Sequence, residues 1–85
     1  MKIFLDTADT EVIKKYWYTG LIDGVTTNPS LILKSGRDPE KVYEELRDLG
    51  IKDISMEVVG TQEQMTSEAV RLAKKFGDCC TIKLP

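Results

Sequence analysis

Three ionisable residues stand near the ends of short apolar segments that have the pattern of β-strands. They are Asp6 in Lys2–Asp6, Glu57 in Ile54–Val59 and Lys83 in Cys79–Leu84. In each segment, every second residue, counted from the neighbour of the charged one, is apolar. These apolar residues share one face of the strand, so the charged side chain belongs to the other face. A lysine amine can attack a carbonyl carbon and form a Schiff base, and nearby carboxylates can move the protons. Such a cluster can equally be a structural ion-pair network, which is the commoner case.

The composition excludes several other chemistries. The 85 residues contain no histidine, so no imidazole can act as a general base, a metal ligand or part of a Ser-His-Asp triad. The sequence has no glycine-rich phosphate motif and no metal-ligand spacing. Twelve basic and 14 acidic residues give a net charge of −2, without the basic cluster that nucleic acids and anionic membranes require. We therefore expect no metal, no cofactor, no nucleic-acid partner and no membrane partner.

The two cysteines, Cys79 and Cys80, are adjacent. Neighbouring residues cannot close a stabilising disulfide loop, so we interpret the pair as two small buried hydrophobic residues in a reducing compartment. A redox-active pair is the alternative interpretation. The first one favours a cytoplasmic location.

The elements that must position the three charges alternate along the chain. Hydrophobic periodicity and capping residues predict the order β-α-β-α-β-α-β, with a short helical turn over Leu31–Lys34. The predicted helices begin at Asp9, Asp38 and Thr61 and end at Gly20, Gly50 and Gly77, and the second strand is Leu21–Thr27. This alternation predicts an α/β fold with a parallel sheet and right-handed crossovers. Either an open doubly wound sheet or part of a (β/α)8 barrel fits the pattern.

The carboxyl ends of parallel strands meet at one edge of the sheet, which is where both folds keep their active sites. We therefore expect Asp6, Glu57 and Lys83 to converge there. A hydroxyl from Thr26 or Thr27 should join them, because the second strand ends in these two residues.

Four stretches of the chain resemble the small transaldolase and fructose-6-phosphate aldolase family. They are Phe-Leu-Asp-Thr-Ala from residue 4, Gly-Val-Thr-Thr-Asn-Pro-Ser from residue 24, Glu-Val from residue 57 and Ile-Lys-Leu-Pro from residue 82. The resemblance covers all 85 residues in order and favours the enzymatic interpretation of the lysine. It implies four parallel βα units that form the first half of a (β/α)8 TIM barrel. Residues 1–85 would then be one amino-terminal half-barrel, with no second domain.

The resemblance also implies class I aldolase chemistry on sugar phosphates of the pentose phosphate pathway. Lys83 would form the Schiff base with the keto carbon of the donor ketose. Asp6 would take the proton from the C4 hydroxyl of the donor, and Glu57 would hold the water used to form and hydrolyse the imine. Asn28 and Thr26 would hydrogen-bond the dihydroxyacetone unit.

One position distinguishes the two activities of this family. Members that release free dihydroxyacetone tend to have glutamine where this chain has Glu57. The glutamate therefore resembles the transaldolase branch, which transfers the dihydroxyacetone unit to an aldose phosphate. Fructose-6-phosphate aldolase is the alternative.

Four strands are half of the eight that a TIM barrel contains, and later βα loops commonly supply the phosphate site. The chain could be a truncated product or fragment of a whole enzyme, or a non-catalytic module that works through assembly. It could also associate by two-fold symmetry, with the fourth strand of each copy beside the first strand of the other. We expect self-association, because open sheet edges invite pairing.

Overall fold

The computed structural model describes residues 1–27 and 29–85. Within them, strands and helices alternate in the predicted order, and a short helix follows the second strand. The elements are β1 (Phe4–Asp6), α1 (Thr10–Trp17), β2 (Gly24–Thr26), α2 (Pro29–Lys34), α3 (Pro39–Leu49), β3 (Ile54–Glu57), α4 (Gln62–Phe76) and β4 (Cys80–Lys83). The strands are shorter than predicted, because the regular strand pairing covers only part of each predicted segment.

The four strands form one parallel sheet in the order β1-β2-β3-β4. An open doubly wound sheet reverses its strand order at a switch point, whereas a barrel adds each strand beside the previous one. The sequential order therefore confirms an α/β fold consistent with the first half of a TIM barrel, and it disfavours the doubly wound alternative.

The helices begin at the predicted capping residues. The Asp9 carboxylate accepts hydrogen bonds from the backbone N–H groups of Glu11 and Val12, at 3.0 and 3.4 Å. Thr61 Oγ1 accepts from the Gln64 N–H at 3.1 Å, while Gln64 Oε1 accepts from the Thr61 N–H at 2.8 Å. These bonds satisfy donors that the first turn of a helix would otherwise leave unpaired. Short polar side chains thus fix where α1 and α4 start.

The helix ends agree less well with the prediction. Gly50 caps α3 in the left-handed conformation, with φ at 101°, which glycine adopts without steric cost. In contrast, α1 ends at Trp17, and Gly20 lies in the following turn. Gly77 ends α4 as predicted, in the right-handed conformation, and a Cβ at this position would lie only 2.8 Å from the Ala73 carbonyl oxygen.

The hydrophobic core lies between the sheet and the helices. The outer face of the sheet contributes Val25, Ile54 and Met56, all fully buried. The helices cover them with buried residues that include Ile13, Val42, Leu46, Leu72 and Phe76. On β4, Cys80 and Ile82 are only partly buried. Leu84, just beyond this strand, is exposed.

An ion-pair network joins α3 to α4. Lys75 Nζ lies 2.8 Å from a Glu40 carboxylate oxygen and 2.7 Å from one of Glu44, and Arg71 also pairs with Glu40. Packing α4 beside α3 brings these two cations, from a distant part of the chain, against the acidic side chains of α3.

This network makes stability depend on pH. The hydrogen bond from Lys75, followed by the one from Arg71, lowers the pKa of Glu40 below its ordinary value of 4.5. Because the pKa of Glu40 is lower in the folded chain than in the unfolded chain, ionised Glu40 stabilises the folded state at pH values above the unfolded pKa. This stabilisation is lost as the pH falls through the folded pKa. We therefore expect the free energy of unfolding, measured in urea, to fall modestly between neutral pH and about pH 3. Glu40→Gln should reduce that fall, whereas Glu63→Gln, on the first turn of α4, should leave it unchanged.

Candidate active site

The register of the sheet aligns one residue from each strand in a polar row. Asp6 is paired with Thr26, Thr26 with Ser55, and Ser55 with Thr81. Aligned positions of neighbouring strands project to the same face of the sheet, and successive side chains alternate between faces. The four residues therefore share the face opposite the hydrophobic core, which is the inner face of a barrel.

Glu57 and Lys83 lie on this same face. They are paired with each other across β3 and β4, and each stands two residues beyond the polar row, after Ser55 and Thr81. Because the side-chain period of a strand is two, their side chains project to the same face as that of Asp6.

The offset of two residues suits a barrel. In a barrel with eight strands and a shear of 8, each strand is displaced by about one residue relative to its neighbour. Glu57 is two strands away from Asp6, and Lys83 is three strands away. If the sheet closes into a barrel, this displacement brings the side chains of Asp6, Glu57 and Lys83 to a similar height along the barrel axis.

Asp6 accepts a hydrogen bond from the threonine beside it. Thr26 Oγ1 donates to Asp6 Oδ1 at 2.9 Å, which holds the carboxylate against the end of β2. Thr27 belongs to the opposite face, since its buried hydroxyl donates to the backbone carbonyl of Ser55 at 2.9 Å. Of the two candidate hydroxyls, the structure thus selects Thr26 as the partner of Asp6.

The amine of Lys83 is exposed, and in the described part of the chain it forms no ion pair with Asp6 or Glu57. Asp6 is exposed as well, and Glu57 is half-buried. The structural ion-pair network that was the alternative interpretation of this cluster is therefore not formed. The amine remains open to a small molecule approaching the inner face.

Asn28, the remaining predicted site residue, lies outside the described residues, so its predicted role stays a prediction. The described chain resumes at Pro29, the first residue of α2.

A groove of about 910 Å³ opens beside the carboxyl end of β3, between α3 and α4. Glu57, Tyr43 and Arg71 are among its lining residues, whereas Asp6 and Lys83 are not. The groove is thus an outer cleft next to the candidate site, and the inner face itself is an open surface.

Both cysteines are free thiols. Cys79 is buried and Cys80 half-buried, and burial raises the pKa of each thiol. A raised pKa lowers the thiolate fraction at neutral pH and with it the reactivity. This supports the interpretation of the pair as small packing residues over a redox-active pair.

Among residues 1–27 and 29–85, none of the helices has the length and apolar character needed to cross a lipid bilayer. The same residues contain no cluster of three or more side chains able to hold a metal ion.

Comparison with known proteins identifies the family. The family model described as Transaldolase/Fructose-6-phosphate aldolase matches residues 3–85. This chain belongs to the transaldolase/fructose-6-phosphate aldolase family. Membership confirms the resemblance seen in the four sequence stretches, all of which lie within the matched residues.

The transaldolase/fructose-6-phosphate aldolase relatives are longer than this chain. It is 51% identical to a protein named "Probable transaldolase" from Brucella anthropi, over 100% of this chain and 39% of that protein. Proteins of the same name from Dinoroseobacter shibae and Nitrosopumilus maritimus are 49% and 46% identical, again over the whole chain, covering 39% and 38% of their lengths. The chain thus spans about two fifths of the length of these relatives.

Proposed function

We propose that this chain carries the Schiff-base half of a transaldolase active site. The observation that carries the proposal is the shared inner face of Asp6, Glu57 and Lys83, in a chain that belongs to this family. An amine flanked by two carboxylates has the groups needed for imine chemistry, namely a nucleophile and proton carriers.

The first half-reaction cleaves the donor. The neutral amine of Lys83 attacks the keto carbon of a ketose phosphate, and loss of water gives an iminium ion. Asp6 then takes the proton from the C4 hydroxyl, and the electrons of the C3–C4 bond flow into the iminium. The aldose phosphate leaves as an aldehyde, and the dihydroxyacetone unit stays on the lysine as an enamine.

The second half-reaction transfers that unit. The enamine carbon attacks the aldehyde carbon of an acceptor aldose phosphate, and Asp6 returns its proton to the oxygen that becomes the new hydroxyl. Water held by Glu57 adds to the iminium, and breakdown of the adduct releases the ketose product and frees Lys83. No metal or cofactor takes part in these steps.

Thr26 has two functions in this proposal. Its hydroxyl holds Asp6, and together with Asn28 it is proposed to hydrogen-bond the dihydroxyacetone unit. The phosphate contacts of a TIM barrel commonly come from its last βα loops. We therefore expect the 85-residue chain alone to react slowly compared with a whole barrel.

Glu57 and the relatives' name, "Probable transaldolase", both favour transfer over simple cleavage. With an aldose phosphate acceptor present, the chain should form a new ketose phosphate faster than it releases free dihydroxyacetone. Faster release of free dihydroxyacetone would support the second candidate, fructose-6-phosphate aldolase.

The decisive experiment is reductive trapping. The 85-residue chain is incubated with fructose 6-phosphate and sodium borohydride, which reduces an imine to a stable secondary amine, and is then mapped by peptide mass spectrometry. We expect the adduct on Lys83. A folded chain that gives no adduct would instead support a non-catalytic module that works through assembly.

We also propose that two copies of the chain associate, since β1 and β4 each have one unpaired edge among the described strands. Two-fold pairing of β4 with the β1 of a second copy would complete eight strands. Multi-angle light scattering should then give a mass above that of the 9.6 kDa chain, and a monodisperse monomer would contradict the proposal.

The free thiols suit a reducing compartment, so we place this protein in the cytoplasm.

A further inference from the structure

Thr27 ties the end of β2 to β3 through two hydrogen bonds on one acceptor. The Ser55 carbonyl accepts the Thr27 hydroxyl at 2.9 Å and the Thr27 backbone N–H at 3.3 Å. The side chain thus makes the shorter of the two links, just beyond the last residue of β2. Thr27 is only 1% exposed, so water does not compete for this bond.

Tyr43 of α3 lies beside Thr27. Its side chain is 2% exposed, and the Thr27 hydroxyl is close enough to oppose in part the rise in the pKa of Tyr43 that burial causes. A buried residue of α3 thus lies against the end of β2.

This arrangement lies directly behind the candidate site. Thr27 separates Thr26, which holds Asp6, from Asn28. Ser55 stands two residues before Glu57 on β3, and the Glu57 carboxylate is close enough to help raise the pKa of Tyr43, after the larger effect of burial. The Thr27–Ser55 bond thus couples the residue next to Thr26 to the strand that carries Glu57.

We propose that Thr27 is a positioning residue, whose hydroxyl bond to the Ser55 carbonyl fixes Thr26 for the dihydroxyacetone unit. The inference rests on the proposed function. Valine would fill the space of threonine almost unchanged, so packing alone does not require the hydroxyl. A small displacement of a binding group can reduce reaction efficiency by an order of magnitude or more.

The test compares Thr27→Val with Thr27→Ser in the trapping assay, at a series of fructose 6-phosphate concentrations. We expect Thr27→Val to lower the efficiency of Lys83 labelling about tenfold, mainly by raising the half-saturating concentration. Thr27→Ser keeps the hydroxyl and should remain within about twofold of the parent chain.

Thr19→Val is the matched control. It also removes a hydroxyl, one that donates to the Tyr16 carbonyl at 2.5 Å beyond the end of α1, and it should leave labelling unchanged. Each variant is first checked for folding by circular dichroism. Full efficiency in Thr27→Val, or equal losses in Thr27→Val and Thr27→Ser, would overturn the positioning role while leaving the proposed function intact. Failure of the parent chain to label would overturn the proposed function, and the positioning role with it.

Discussion

Lys83→Met is expected to abolish borohydride-dependent labelling by fructose 6-phosphate, a loss of at least about 1,000-fold. Methionine keeps an unbranched side chain of similar length, so it removes the nucleophile with little change in shape. Lys83 is exposed, and among the described residues its amine is not bound in an ion pair. The substitution should therefore leave the fold unchanged, and intact-protein mass spectrometry can measure the adduct directly.

Lys52→Met is the matched control for this result. Lys52 is also exposed and lies between α3 and β3, before the amino end of the strand that carries Glu57. Its replacement should leave labelling at the level of the parent chain. Labelling that persists in Lys83→Met at a specific second lysine would show that Lys83 is not the nucleophile.

Phe76→Ala should have the largest effect on stability. Phe76 is 1% exposed and contacts the Tyr43 ring edge-on, with centroids 6.0 Å apart and an interplanar angle of 83°. The cations of Arg47 and Lys75 lie 5.4 Å from its centroid. Truncating a buried phenylalanine typically costs about 3–5 kcal/mol, which approaches the whole stability of a small domain, about 5 kcal/mol. We expect the variant to be largely unfolded in urea titrations followed by circular dichroism.

Phe76→Leu gives a graded comparison, because it retains most of the apolar volume and should cost clearly less than Phe76→Ala. Tyr18→Ala is the surface control. Its side chain is 76% exposed, so its loss should change the free energy of unfolding by no more than about 0.5 kcal/mol. If Phe76→Ala were as mild as Tyr18→Ala, Phe76 would not anchor α4 to the sheet.

Strand periodicity was enough to predict that the three charged residues share a face. In a strand, the parity of a residue decides which face it occupies, and parity can be read from the apolar neighbours of Asp6, Glu57 and Lys83. The same alternation could not show whether Thr26 or Thr27 faces the site. A turn follows β2 at once, so which of the two threonines projects to the inner face depends on how β2 pairs with β1 and β3. The chemical roles of these residues stay predictions.

Contacts between helices were harder to predict, because they depend on which elements become neighbours. Helical spacing places Val12 and Tyr16 on one stripe of α1 with the buried Ile13, but both are exposed. A helix buries only the face that another element covers, and the described contacts of α1 with other helices are chiefly to α3. The bond from the Thr27 hydroxyl to the Ser55 carbonyl was missed for the same reason, because it depends on the pairing of β2 with β3.

The strand order has a consequence for how the chain acquires its structure. Each strand pairs with the next one in the sequence, so every pairing closes a loop of only roughly 20 to 30 residues, which keeps the entropy of closure low. The sheet can therefore grow one βα unit at a time. During synthesis, β1 and β2 can pair before β4 has left the ribosome, and each later strand finds a finished edge to join.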